Sequence, residues 1–147
     1  MARVNLVSRD NDSGLSVDLK VVTDALTRLG HDVVWADFRD AGMRECDAAV
    51  FLETTSEALM SFARRTVFVP NPDCLDDDKA KLIDRFDQVW AKSETMRRVA
   101  GELPVKNLVV TGFATPDRAQ PKKRRKHAVL HMAGRSTAKG TAAVVEA

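Results

Sequence analysis

The chain has 147 residues, room for one ordinary domain and too few for two complete ones. Its 23 Lys and Arg against 21 Asp and Glu give a net charge of +2, which excludes a wholly basic nucleic-acid binder and an acidic solvating tail. Hydrophobic residues at 44% and charged residues at 30% are values of a folded chain, not a disordered one. The charge is nevertheless unevenly spread. Lys122, Lys123, Arg124, Arg125 and Lys126 are consecutive cations, and without them 18 cations face 21 acids. The basic excess belongs to one short segment.

Cys46 and Cys74 lie 28 residues apart, with neither CxxC nor Cys/His ligand spacing. That pattern excludes a disulfide scaffold and a structural zinc site, and both thiols are expected to be small buried fillers. Residues 1–8 (MARVNLVS) lack the apolar run of about 7–15 residues that a secretory signal needs. No stretch approaches the ~18 apolar residues of a membrane span. A soluble chain in the cytoplasm, without a metal or bound cofactor, is the expectation.

In chain order, Arg3–Val7 reads as a strand, followed by a polar loop over 8–14. Leu15, Leu19, Val22, Leu26 and Leu29 then recur at steps of four and three, the stripe of a helix buried on one face. Gly30 is placed to cap it in the left-handed conformation, His31 to sit in the turn, and Val33–Trp35 to form the next strand. A strand at Ala48–Leu52, a helix near Glu57–Ala63 and a strand at Thr66–Val69 follow, the last stopped by Pro70-Asn71-Pro72. Asp73, Asp76, Asp77 and Asp78 precede a helix reaching about Phe86, and carboxylates there suit a helix start better than a metal. A strand at Gln88–Ala91, a helix capped by Ser93 and a strand at Asn107–Thr111 complete the series. Trp35 and Trp90 follow apolar strand residues and are expected in the core.

Mostly apolar strands alternating with helices mean a parallel sheet covered on both faces. The predicted class is a doubly wound, Rossmann-like α/β domain over residues 1–113. Residues 114–127 hold two prolines and the basic run without apolar periodicity, as a linker does. Ala128–Met132 reads as a new strand leading through a glycine turn into a helix that is still running at Ala147, so 128–147 reads as the incomplete start of a second α/β domain.

That second segment carries the chemistry most visibly. A glycine turn entering a helix presents free N–H groups to an anion, and Arg135 and Lys139 add two cations four residues apart. Lys139 precedes Gly140, whereas a P-loop needs glycine before lysine, so a P-loop NTPase is excluded. Following an apolar strand, Gly134-Arg135-Ser136-Thr137-Ala138-Lys139-Gly140-Thr141 resembles the G-R-x-x-x-K-G motif of family-4-like, retaining glycosyltransferases of the two-domain GT-B fold. The opening strand, glycine-containing loop and long helix ending in Gly30-His31 are similar to that family's start. Val69-Pro70-Asn71-Pro72 and Trp90-Ala91-Lys92-Ser93 fit its order.

The resemblance implies that the chain is the first part of such an enzyme, with the acceptor-side domain at 1–113 and the nucleotide-sugar domain opening at 128. It implies that Gly134, Arg135, Lys139 and Gly140 hold the diphosphate of a nucleotide-sugar donor, which is a substrate and not a cofactor. Asn11, Asp12, Ser13 and Gly14 become the loop that meets acceptor or donor across the cleft. The family's later E-x7-E segment lies beyond Ala147, so the expected partner is the remainder of the donor domain, continuing the chain or supplied by a second polypeptide. A catalytic residue is not legible.

Two readings compete. Residues 122–126 resemble a nuclear-import signal and could grip nucleic acid, in a non-catalytic α/β binding module whose affinity would fall steeply with salt. A receiver domain would use Asp10, Asp12 and Lys92, but Glu53 stands where its phosphorylated aspartate belongs.

Overall fold

The computed structural model describes residues 1–12, 14–39 and 43–112. The basic linker, the Arg135/Lys139 segment and Ser13 lie outside the described residues.

The elements follow the apolar pattern closely. Strand β1 (Arg3–Ser8) leads through the polar loop to helix α1 (Gly14–Arg28). Leu15, Leu19 and Leu26 are half-buried and Val22 is buried, whereas Leu29 lies beyond the helix and is exposed. Gly30, at φ +83°, ends the helix as the spacing predicts. Its N–H reaches Thr27 O at 2.9 Å and the His31 N–H reaches Leu26 O at 3.1 Å, closing two otherwise orphaned carbonyls. Strand β2 (Asp32–Asp37) runs longer than expected. Then come β3 (Ala48–Leu52), the single turn α2 (Glu57–Met60) and β4 (Thr66–Val69). A 3-10 turn at Pro72–Cys74 precedes α3 (Asp77–Leu82), whose cap Asp76 accepts from Lys79 N at 3.0 Å. The acidic cluster is thus a helix start, as its composition indicates. Strand β5 (Gln88–Ala91), α4 (Glu94–Gly101) capped by Ser93, and β6 (Leu108–Val110) complete the described chain.

All six strands are parallel, in the order β2-β1-β3-β4-β5-β6. The architecture is therefore Rossmann-like α/β with helices against the sheet. Alternate strand residues feed two cores. On one side Val7, Ala49, Phe51, Phe68, Val89 and Ala91 meet Leu59, Ile83, Phe86, Met96 and Ala100. On the other, Val4, Leu6, Val50, Leu52, Val67 and Val69 meet Val22 of α1. Among the described residues α1 is the helix of that second face, while the elements after β3 serve the first. This division follows from right-handed crossovers, which place connections on opposite faces when the direction of strand addition reverses.

Two expectations for single residues fail on position, and that for Trp90, which packs against the edge of the second core, is met in part. Trp35 is 48% exposed, because β2 is an edge strand and α1 packs further in. Trp90 is only half-buried, its indole N–H donating to Gln88 Oε1 at 3.1 Å. Cys46 is a buried filler, but Cys74 is exposed in the turn after β4.

Phe86 locks the first core. Its ring meets Phe51 edge-on at 5.3 Å and stacks on Phe68 at 5.0 Å, with all three fully buried. Phe86→Ala is expected to destabilise the fold by about 3–5 kcal/mol through lost burial and the cavity left behind, read as a lowered urea midpoint.

Candidate site at the carboxyl edge

The strand order reverses between β1 and β3. One crossover leaves β1 toward β2 and the later ones proceed the other way, so a crevice opens above the carboxyl ends of these neighbours. In open α/β sheets this is where ligands bind. The polar residues expected from the sequence as strand terminators now become the floor and walls of one place.

Lys92, the first residue after β5 and two strands out from β3, joins the end of β3 to the helix that follows β1. Its Nζ donates to Asp18 Oδ2 at 2.8 Å and to Glu53 Oε1 at 2.9 Å. Asp18 comes from the second turn of α1 and Glu53 from the residue following β3. All three side chains are largely buried, with exposures of 18%, 23% and 15% for Lys92, Asp18 and Glu53. Burial alone would lower the Lys92 pKa, but hydrogen bonds to Asp18 and Glu53 outweigh it and hold the ammonium above its ordinary value. Two carboxylates about one ammonium leave the cluster with a net negative charge.

Glu53 is also backbone-strained. Its φ is +56°, a left-handed conformation that glycine or asparagine adopts far more readily, at a cost of roughly 1–3 kcal/mol. Its N–H is retained by Val69 O at 2.9 Å, so the turn couples the ends of β3 and β4.

The loop after β1 forms the second wall. Asp10 accepts from the Ser16 hydroxyl and from Asp12 N, and the Ser16 hydroxyl in turn accepts from Asn11 N at 3.2 Å. The Ser16 hydrogen bond is the larger of the effects that lower the Asp10 pKa. Asp12 takes φ +51°, which aspartate tolerates. Gly14 opens α1 with nothing within 4 Å of a Cβ placed there. Of the predicted loop, Asn11, Asp12 and Gly14 therefore stand at the crevice beside α1.

Beyond β2, Asp37 is gripped by Arg39, whose Nε and Nη2 each donate at 3.0 Å. That side-chain hydrogen bonding, reinforced by the Arg39 backbone N–H, draws the Asp37 pKa down to about 2. The guanidiniums of Arg9 and Arg39 approach the Phe38 ring at 5.0 and 5.3 Å.

A cavity among the described residues lies elsewhere. It is a space of about 390 Å³ at the amino edge, lined by residues such as Arg3, Asp47 and Arg64. It sits where strands begin, away from the crevice, and gathers no comparable half-buried ion cluster. No group of three His, Cys, Asp or Glu side chains able to hold a metal occurs among the described residues, and no described helix is long and apolar enough to cross a membrane.

Asp18 is the site residue that sequence reading passed over. The signal was present: Asp18 lies three residues after Leu15 and four before Val22, inside the apolar stripe of α1. A carboxylate on a buried stripe calls for a cation, and Lys92 supplies it from 74 residues away. Gly134, Arg135, Lys139 and Gly140, like the cations 122–126, lie outside the described residues. No protein-family model matches the chain, and no curated protein matches it.

Lys92→Met is expected to cost about 1–3 kcal/mol at neutral pH, because it leaves two half-buried carboxylates facing each other. The raised Lys92 pKa stabilises the fold fully below the ordinary value of 10.5 and ceases to do so as pH climbs through the higher folded value. Urea titrations between pH 7 and 11.5 should therefore show a steeper alkaline loss in the wild-type protein than in Lys92→Met.

Proposed function

We propose that this chain is the acceptor-side part of a GT-B glycosyltransferase, with residues 128–147 opening the domain that holds the nucleotide sugar. The observation that carries the reading is the Lys92–Glu53–Asp18 cluster at the reversal of strand order, where a doubly wound sheet receives ligands. The cluster offers carboxylate oxygens to hydroxyl groups, as recognition of a sugar or another polyol requires. Asn11, Asp12 and Gly14 of the flanking loop extend from the same edge, and Ser13 belongs to that loop by sequence. In this reading Arg135 and Lys139, with the backbone at Gly134 and Gly140, neutralise the diphosphate as it leaves, a charge that grows in the transition state.

The Lys92–Glu53 contact also favours a second reading. A receiver domain pairs a lysine after β5 with an acid after β3, on the same arrangement of the first five strands. Here the acid is glutamate, its carboxylate is already engaged by Lys92, and Asp10 is turned to Ser16 and Asp12. A glutamate where the phosphorylated aspartate belongs favours the glycosyltransferase.

Calorimetry of the chain supplied with the remainder of the donor domain, titrated with UDP, GDP, ADP and dTDP, tests the donor half. At least one should bind, and Arg135→Ala and Lys139→Ala should each weaken it by roughly 10- to 100-fold, the worth of a charge-assisted hydrogen bond. Unchanged affinity in both variants would sink the donor-phosphate assignment. Phosphorylation of the chain by acetyl phosphate would instead support a receiver.

A further inference from the structure

We propose that Glu53 is the residue through which the crevice takes a hydroxyl of a neutral, polyhydroxylated acceptor, and that Lys92 and Asp18 are the residues that position it. The inference rests on the glycosyltransferase reading and deepens it by naming the acceptor class and its contact.

Three observations converge on Glu53. The first is its backbone. A left-handed glutamate is retained where glycine would relieve the strain, and the turn's hydrogen bond to Val69 uses only the backbone N–H. Nothing in the turn demands a carboxylate. Strained residues of this kind concentrate where a side chain must be aimed.

The second is the state of the carboxylate. Oε1 receives Lys92 Nζ at 2.9 Å, while Oε2 has no hydrogen-bond partner among the described residues. The side chain is 15% exposed, so an oxygen with accepting capacity is held in a sheltered position. Hydroxyl groups donate to such an oxygen, and the bond is strengthened by its charge.

The third is the support. Asp18, Glu53 and Lys92 come from a helix and from the ends of two strands, so their relative positions are set by the sheet and not by a free loop. The net negative charge of the trio opposes an anionic group at this point and leaves neutral hydroxyls as the fitting partner. An ion pair that served only to fasten α1 to the sheet would require neither the strained backbone nor the open oxygen.

The test uses the full chain labelled with 15N and 13C. Its probes are myo-inositol and methyl α-D-glucoside as neutral polyols, with glucose 6-phosphate as the anionic counterpart. A neutral polyol is expected to shift the Glu53 carboxyl carbon and the amides of residues 52–54 and 92. Glu53→Gly, in which relief of the strain offsets the lost ion pair while Lys92 keeps Asp18, is expected to weaken that binding at least tenfold, with the urea midpoint confirming that the fold is kept. Lys92→Met should weaken it as well, and Lys92→Arg should restore the response at the Glu53 carboxyl. The proposal is overturned if neither neutral polyol moves Glu53, if Glu53→Gly binds as the wild type does, or if glucose 6-phosphate binds more tightly at this position. The same samples titrated with the nucleoside diphosphates separate the two claims. Diphosphate binding without a polyol response overturns the Glu53 assignment alone, and a polyol response without diphosphate binding, once the remainder of the donor domain is supplied, overturns the glycosyltransferase reading alone.

Discussion

The ammonium of Lys92 donates to two carboxylates that arrive from different elements of the fold. Asp18 arrives on the helix covering one face of the sheet, Glu53 on the turn beyond its central strand, and Lys92 on the strand two places further out. Without the cation, Asp18 would be a charge on an apolar stripe and Glu53 a charge in a sheltered turn. With it, the carboxyl edge becomes a polar floor whose parts are fixed by sheet geometry. Breaking one member of such a cluster is costly because the others remain desolvated and unpaired.

The rest of the fold serves that arrangement by being stiff. Six parallel strands, apolar on alternate faces, are held by the Phe51–Phe68–Phe86 contact on one side and by Val22 on the other. A tightly packed sheet fixes where its strands end, so a left-handed Glu53 can be tolerated there. The Asp10–Ser16 hydrogen bond and the Asp37–Arg39 pair act in the same way at either side, each tying a loop to the element beside it.

Much of this was legible along the chain. The steps of four and three from Leu15 to Leu26 fixed α1, Gly30 its end, and Ser93 and Asp76 the starts of α4 and α3, because each effect is local. Strands β3, β4 and β5 were bounded correctly, since a buried parallel strand is a short apolar run with polar residues at each end. Trp35 was misplaced for a non-local reason: an indole on a strand is core or surface according to what lies beside the strand, and β2 turned out to be an edge. The candidate site was legible in its parts and not as a site. Glu53 and Lys92 could be noticed as strand-end charges, but Asp18 was hidden among leucines.

What the amino-acid sequence determined by itself was the class and order of elements, a parallel α/β sheet with capped helices over residues 1–112. Hydrophobic periodicity, capping and turn chemistry act over a few residues, and a few residues are enough to read them. Only the tertiary structure decided the strand order, the reversal between β1 and β3, and the meeting of Asp18, Glu53 and Lys92. Those depend on which strand pairs with which, and pairing is settled by packing across the whole sheet. The length that seemed to allow one domain accommodates a six-stranded sheet in its first 110 residues, and its slight positive charge conceals a crevice that is locally acidic.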